Sequence, residues 1–248
     1  MQTTKRFAAF VCALALSGAT LARAQGTGAP ATAAPAAAAP APAERVAAIK
    51  ASLAQSAQNL RQYQWTETQV VNFKGEDKSN KEFTCSYGAD GKVVKTLVVV
   101  PAVEDKGKPG VRGKIIANKK EEMADYMESA VALVKSYVPP DPAKIQAAKD
   151  AGKVSFTPLA DGKQAKIDVK DYEKPGDDLG FVIDMATNQI LGVGVASYLT
   201  DAKDAVTLNV KMGMLPDGTQ YASTIVLDGA AKQIKVTTTN SGYEKKAN

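Results

Sequence analysis

The spacing of hydrophobic and polar positions changes period three times along this chain. Val46, Ile49, Leu53, Ala57 and Leu60 recur every three or four residues, with Gln, Asn, Lys and Ser between them, and predict a helix over 44–62. From Tyr63 the period becomes two. The stretch QYQWTETQVVNF (62–73) places Tyr63, Trp65, Glu67, Gln69, Val71 and Phe73 on one side of a strand. Residues 79–88 read as a second strand, with Phe83, Cys85 and Tyr87 on one side. Asp90-Gly91 is the signal of a two-residue hairpin turn into a third strand, 92–100. A loop is expected over 101–112.

The helical period returns in 118–137, where Met123, Tyr126, Met127, Ala130, Val131, Val134 and Tyr137 form an apolar stripe that stops at Val138-Pro139-Pro140. Asp141-Pro142 restarts a helix over 142–151, with Asp as N-cap, Pro at the first helical position and Gly152 beyond the end. Period two then holds to the C-terminus. Strands are expected at 153–159, 163–172, 178–185, 189–199, 205–215, 219–228 and 232–243, split by turn signals such as Asp161-Gly162, Pro175-Gly176 and Pro216-Asp217-Gly218. The pattern predicts an α+β fold: a curved antiparallel sheet of about ten strands, a half-barrel, with helices packed over its concave face.

The first 43 residues follow neither period. Lys5 and Arg6 precede an apolar run, Phe7 to Leu16, too short to span a bilayer, and Ala22-Arg23-Ala24 fits a small-residue cleavage site. Residues 1–24 therefore read as a secretory signal peptide cut before Gln25. The segment before Cys12, Ala9-Phe10-Val11, is not a lipoprotein cleavage box, so a soluble product is expected. Residues 25–43 are an Ala/Pro linker in which prolines at 30, 35, 40 and 42 break any alanine helix. Residues 44–248 then form a single domain of a size that supports its own core. No transmembrane segment remains after cleavage.

Cleavage lowers the formal charge from +5 to +2, because Lys5, Arg6 and Arg23 leave and no acid does. No basic block points to nucleic acid; Lys119-Lys120 is followed at once by Glu121-Glu122. Cys85 alone remains of two cysteines, so no disulfide can staple the domain, and the thiol reads as a small buried hydrophobe. The chain has no histidine. Ser-His-Asp and Cys-His catalysis, histidine metal sites and histidine pH switches are excluded. No cofactor is implied.

Glu67 is the acid that most needs explaining, since a carboxylate on a partly apolar face requires a partner or a raised pKa. A hairpin centred near Asp77 would set Gln69 opposite Cys85 and Glu67 opposite Tyr87. A glycosidase needs two positioned carboxylates, and no second acid is tied to Glu67 by the pattern; Asp168, Asp171 and Glu173 read as strand-edge and turn charges. Gly192-Val-Gly194 imitates a dinucleotide fingerprint but precedes a strand instead of a helix, which excludes it. Gly192, Gly194 and Ala196 form a small face that leaves room for a helix or a ligand to approach, with a helix the expected occupant.

The stretches NLRQYQWTETQVVNFKG and LGFVIDMATNQILGVGV, in an order of elements covering 44–244, resemble the LolA-like periplasmic lipoprotein-carrier family. The chain is also similar to a group of exported bacterial proteins of comparable length. The resemblance implies an incomplete barrel covered by helices, with apolar space that takes acyl chains. On this basis the expected function is non-enzymatic: a soluble periplasmic binding or carrier protein for a lipid or lipidated protein. The alternative is an envelope scaffold or interaction module with a filled core. The expected ligand-lining residues are Tyr63, Trp65, Glu67, Phe83, Tyr87, Met123, Met127 and Val131.

Overall fold

A computed structural model describes residues 42–98 and 111–246, giving backbone alone for 42–46, 111–117 and 120. The expected signal peptide and nearly all of the linker lie outside the described residues. Helix α1 (Pro42–Leu60) leads into strands β1 (Tyr63–Phe73), β2 (Glu76–Tyr87) and β3 (Val93–Val98). Helices α2 (Val111–Lys135) and α3 (Pro142–Asp150) follow. The rest is β4 (Val154–Pro158), β5 (Gln164–Lys170), β6 (Asp178–Asp184), β7 (Ile190–Tyr198), β8 (Ala205–Met214), β9 (Gln220–Gly229) and β10 (Ile234–Lys245). The fold is α+β: one open, curved antiparallel sheet of ten strands with three helices over its concave face. Helix α2 begins seven residues before the expected 118, because the apolar stripe that marks it in sequence occupies only its later turns.

The sheet order is β3-β2-β1-β10-β9-β8-β7-β6-β5-β4. Two meanders are therefore joined where β1 meets β10, the last strand. QYQWTETQVVNF, first in the chain, is interior in the sheet and bonded on both sides.

The first hairpin departs from the expected register. Phe73 pairs with Glu76, so Lys74 and Gly75 alone form the loop. Their φ angles are 55° and 83°, the left-handed pair that a two-residue turn of type I′ demands. Asn72 braces it, accepting from Gly75 N at 3.1 Å and donating to Asp77 Oδ1 at 2.8 Å. Trp65 consequently lies opposite Cys85 and Glu67 opposite Phe83, in place of the expected Gln69–Cys85 and Glu67–Tyr87 pairs. At the next hairpin the loop has three residues, Ala89 to Gly91, closed by Gly88 N to Lys92 O at 2.8 Å. Gly91, with φ at 72°, takes the left-handed place in it.

The main core forms where α1, α2 and α3 meet β4–β10. The expected α2 stripe faces it: Tyr126, Met127, Ala130, Val134 and Tyr137 are buried against Leu179, Val195, Val206 and Leu208, with Met123 and Val131 at its margin. Asp141 caps α3, accepting from Ala143 N at 2.8 Å, an interaction that contributes about 1 kcal/mol in helices generally. Val193 and Val195 point into this core. Gly192, Gly194 and Ala196, alternating with them, therefore lie on the opposite face, and the expected helix does not pack there. A bulge at Leu191 sets this phase: Ile183 pairs with Ile190 but Val182 with Gly192.

Candidate functional site

The alternation of β1 delivers Tyr63, Trp65, Glu67 and Gln69 to the concave face, and all four are buried. On the same face β10 contributes Thr238 opposite Gln69 and Asn240 opposite Glu67, both buried. These four polar side chains form a row with apolar clusters on either side. On one side is the helix-backed core. On the other, Trp65, Phe83 and Cys85 pack with Tyr87, Val93 and Tyr243. Among the described residues, every member of this second cluster comes from a strand.

A bulge in β10 builds the junction. Glu67 pairs with Asn240 and Tyr63 with Lys245, so β10 spends one extra residue here, at Gly242 with φ at 61°. The extra residue lets both Asn240 and Tyr243 reach the concave face. Tyr243 stacks on Trp65 at 5.5 Å between ring centroids, and Tyr87 flanks Trp65 at 5.6 Å. Trp65 Nε1 donates to Asn240 Oδ1 at 3.2 Å, and Asn240 Nδ2 donates to Ala222 O at 2.8 Å, linking β1, β10 and β9. The buried indole N–H thus has the partner that its burial requires.

Glu67 is fully covered, and Lys95 meets it. Lys95 Nζ donates to Oε1 at 2.6 Å and Oε2 at 2.8 Å. Lys95 stands opposite Cys85, which in turn stands opposite Trp65. Its side chain therefore runs diagonally across β2, passing 6.0 Å from the Phe83 ring centroid. Burial, with the Glu67 carboxylate nearby and Lys95 opposing it, pushes the Cys85 thiol up to about 12. Cys85 is accordingly a neutral, buried thiol, as its isolation in the sequence implied.

The eight residues expected to line a site do not converge. Tyr63, Trp65, Glu67, Phe83 and Tyr87 share the β1–β2 region, whereas Met123, Met127 and Val131 belong to the helix-backed core beyond the polar row. Tyr63 is anchored from outside the cluster: its hydroxyl donates to Asp217 Oδ2 at 2.6 Å in the β8–β9 turn. The end of α1 grips the same turn, with Ser56 Oγ accepting from Gln220 N and Asn59 Nδ2 donating to Thr219 Oγ1, each at 3.0 Å.

Sequence reasoning passed over Lys95, Asn240 and Tyr243. Lys95 had a signal: it is the one charge inside the apolar run VVKTLVVV, with the parity of Val93 and Leu97. Asn240 and Tyr243 had none, because the bulge between them breaks the alternation. Among the described residues no three His, Cys, Asp or Glu side chains gather as a metal site requires. No described helix is long and apolar enough to cross a membrane.

No protein-family model matches this chain, and no curated protein sequence matches it. Solved structures similar to it include a LolA superfamily protein from Nitrosomonas europaea, 9% identical with a TM-score of 0.34, covering 81% of this chain and 94% of that one. A DUF1329 family protein from Desulfovibrio piger is 11% identical with a TM-score of 0.33, over 81% and 94% of the two chains. A domain titled as an outer membrane lipoprotein-sorting protein, from Vibrio parahaemolyticus, is 12% identical with a TM-score of 0.33, over 79% and 92%. At these identities and TM-scores the likeness transfers no activity to this chain.

Proposed function

We propose that this chain is a soluble periplasmic binding or carrier protein for an apolar ligand, an acyl chain or a lipidated protein, and not an enzyme. Residues 1–24 direct export and are removed, and 25–43 act as a spacer. The observation that carries the proposal is the second apolar cluster: aromatic, built from strands among the described residues, and set beside a buried ion pair. Once opened, such a cluster would offer apolar area to a chain and polar groups to whatever joins it to a head group. Native mass spectrometry of protein purified from the periplasm tests it. A retained lipid-sized mass, displaceable by a fluorescent fatty-acid probe, is the expected result; a ligand-free mass with no probe binding would end the proposal.

One observation favours a second reading. Trp65 and Glu67 are 3% and 0% exposed, so the described face is closed. A permanently filled interior would suit an envelope scaffold or interaction module. Probe uptake separates the two, because a carrier opens to admit the probe and a filled module does not.

A further inference from the structure

Strand β3 is thinly buried. Val94, Leu97 and Val98 are 53%, 53% and 39% exposed, whereas the Lys95 side chain is 7% exposed. Val93, Lys95 and Leu97 share one side of the strand; Val93 packs on the second cluster, and Leu97 stays exposed although it has the parity of Lys95. The strand is six residues long and, among the described residues, stands at the sheet's edge and pairs with β2 alone. Neither of the two expected sources of stability, a second neighbouring strand and buried apolar side chains, is prominent in it. Its inward fastenings are Val93, packed on the second cluster, and Lys95, laid across β2 to Glu67 on β1. An inward charge on an edge strand also discourages pairing with another chain.

Cys85 and Phe83 lie beneath that side chain, and Trp65 lies beyond them. Segments with few buried apolar contacts and one-sided pairing open at a smaller free energy than the rest of a domain. We propose that β3 is a releasable strap: fastened by Lys95 to Glu67, it opens as a local unit, uncovers the Trp65–Phe83–Cys85 cluster, and forms the entrance for an apolar ligand. The opening stands on β3 itself, and its role as an entrance rests on the carrier function proposed above.

Cys85 reports the opening. In the closed state it is buried and held as the thiol, so alkylation requires release of β3. The exported protein is treated with iodoacetamide across a low-urea series, and the Cys85 peptide is followed by mass spectrometry. The expected labelling is at least about tenfold faster than global unfolding allows, and nearly independent of urea. Labelling that follows global unfolding with the same urea dependence would overturn the strap. Thr84 and Thr96 are direct partners on β2 and β3, so the variant Thr84→Cys/Thr96→Cys locks the strand when oxidised. Oxidation is expected to slow Cys85 labelling about tenfold or more and reduction to restore it; equal rates overturn the proposal. Should that variant misfold, the urea series on the natural protein decides alone. A fluorescent fatty-acid probe then tests the entrance. Uptake by the reduced form and exclusion from the oxidised form support it, and equal uptake overturns it. Binding to neither form ends the carrier function, while the labelling still decides the strap.

Discussion

Lys95 Nζ reaches both carboxylate oxygens of Glu67, at 2.6 and 2.8 Å, from across an intervening strand. Both side chains are covered, so each charge depends on compensation inside the protein. Removing one member of such a pair costs about 3–5 kcal/mol in buried settings, because the other charge stays behind. Lys95→Met is expected to lower stability by about 3 kcal/mol in urea unfolding. Adding Glu67→Gln removes the other charge of the pair, so the double variant should lose less than the two single losses combined, with coupling of at least about 1 kcal/mol. Strict additivity in the double-mutant cycle would show that the pair does not act as a unit.

The same pair marks how far the sequence could be read. Strand periodicity placed Trp65 and Glu67 on one face, because side-chain alternation is local and nothing in β1 interrupts it. The α2 stripe and the Asp141 cap were legible for the same reason. Glu67's partner depended on register, and register turned on whether Lys74-Gly75 or Asp77 made the turn. A lysine at a left-handed position is a weak local signal, so the expected hairpin was misplaced. The β1–β10 pairing joins residues some 170 positions apart, and the bulge at Gly242 that completes the aromatic cluster leaves no trace in a two-residue period. The site was therefore half visible: its β1 face was, its closing strand was not.

Lys74 itself offers a simple test. A non-glycine residue at positive φ carries a steric cost of about 1–2 kcal/mol, which asparagine largely avoids. Lys74→Asn would convert the loop to Asn-Gly, the favoured pair for this turn. The main-chain bond from residue 74 N to Gln233 O is untouched by the change. Thermal unfolding should show a gain of roughly 0.5–1 kcal/mol. A loss would mean that the Lys74 ammonium, 5.3 Å from the Phe73 ring centroid, contributes more than the backbone geometry.

Two glycines make room for tyrosine rings in the sheet. A Cβ on Gly213 would lie 2.7 Å from Tyr221 Cζ, and one on Gly229 would overlap the Tyr126 ring. Neither ring can simply swing away, since Tyr126 is buried on the core side of α2 and Tyr221 packs on Tyr243 at 4.4 Å between centroids. Gly229→Ala should destabilise by about 1–3 kcal/mol, the usual range for overpacking. In a Tyr126→Ala background the same substitution should cost much less. An equal cost in both backgrounds would place the strain in the backbone, away from the ring.

Asp217 sets part of the acid limb of stability. Hydrogen bonds from the Tyr63 hydroxyl, the Thr219 hydroxyl and the Thr219 backbone hold its carboxyl down to about 2, from an ordinary 3.8. A carboxyl that is more acidic in the folded state favours folding when ionised. Its contribution is therefore complete above about pH 3.8 and disappears as pH falls through about 2. Asp217→Asn should reduce stability near neutrality and flatten the pH dependence between those values. Urea midpoints measured from pH 5 to pH 2 would reveal this; an unchanged slope would show that the Tyr63–Asp217 contact carries no ionic contribution.

Tyr137 ties α2's exit to the far half of the sheet through a buried chain of polar groups. Its hydroxyl donates to Asp177 Oδ2, and because a phenol has one proton, Ser197 Oγ must donate to it in turn, at 2.8 Å. Asp177 also accepts from Lys174 N at 2.9 Å and Glu173 N at 3.2 Å, which shapes the β5–β6 loop. Burial first, then the bond to Asp177, pushes the Tyr137 phenol well above its usual value, so the group stays protonated and remains a donor at any physiological pH. Tyr137→Phe leaves Asp177 and Ser197 each short of a partner in a dry setting, at a cost of about 1–3 kcal/mol. Asp177→Ala removes the loop contacts as well and should cost more than Tyr137→Phe. Thermal unfolding of the two variants orders them; a Tyr137→Phe loss equal to that of Asp177→Ala would show that the backbone contacts of Asp177 add nothing to the fold.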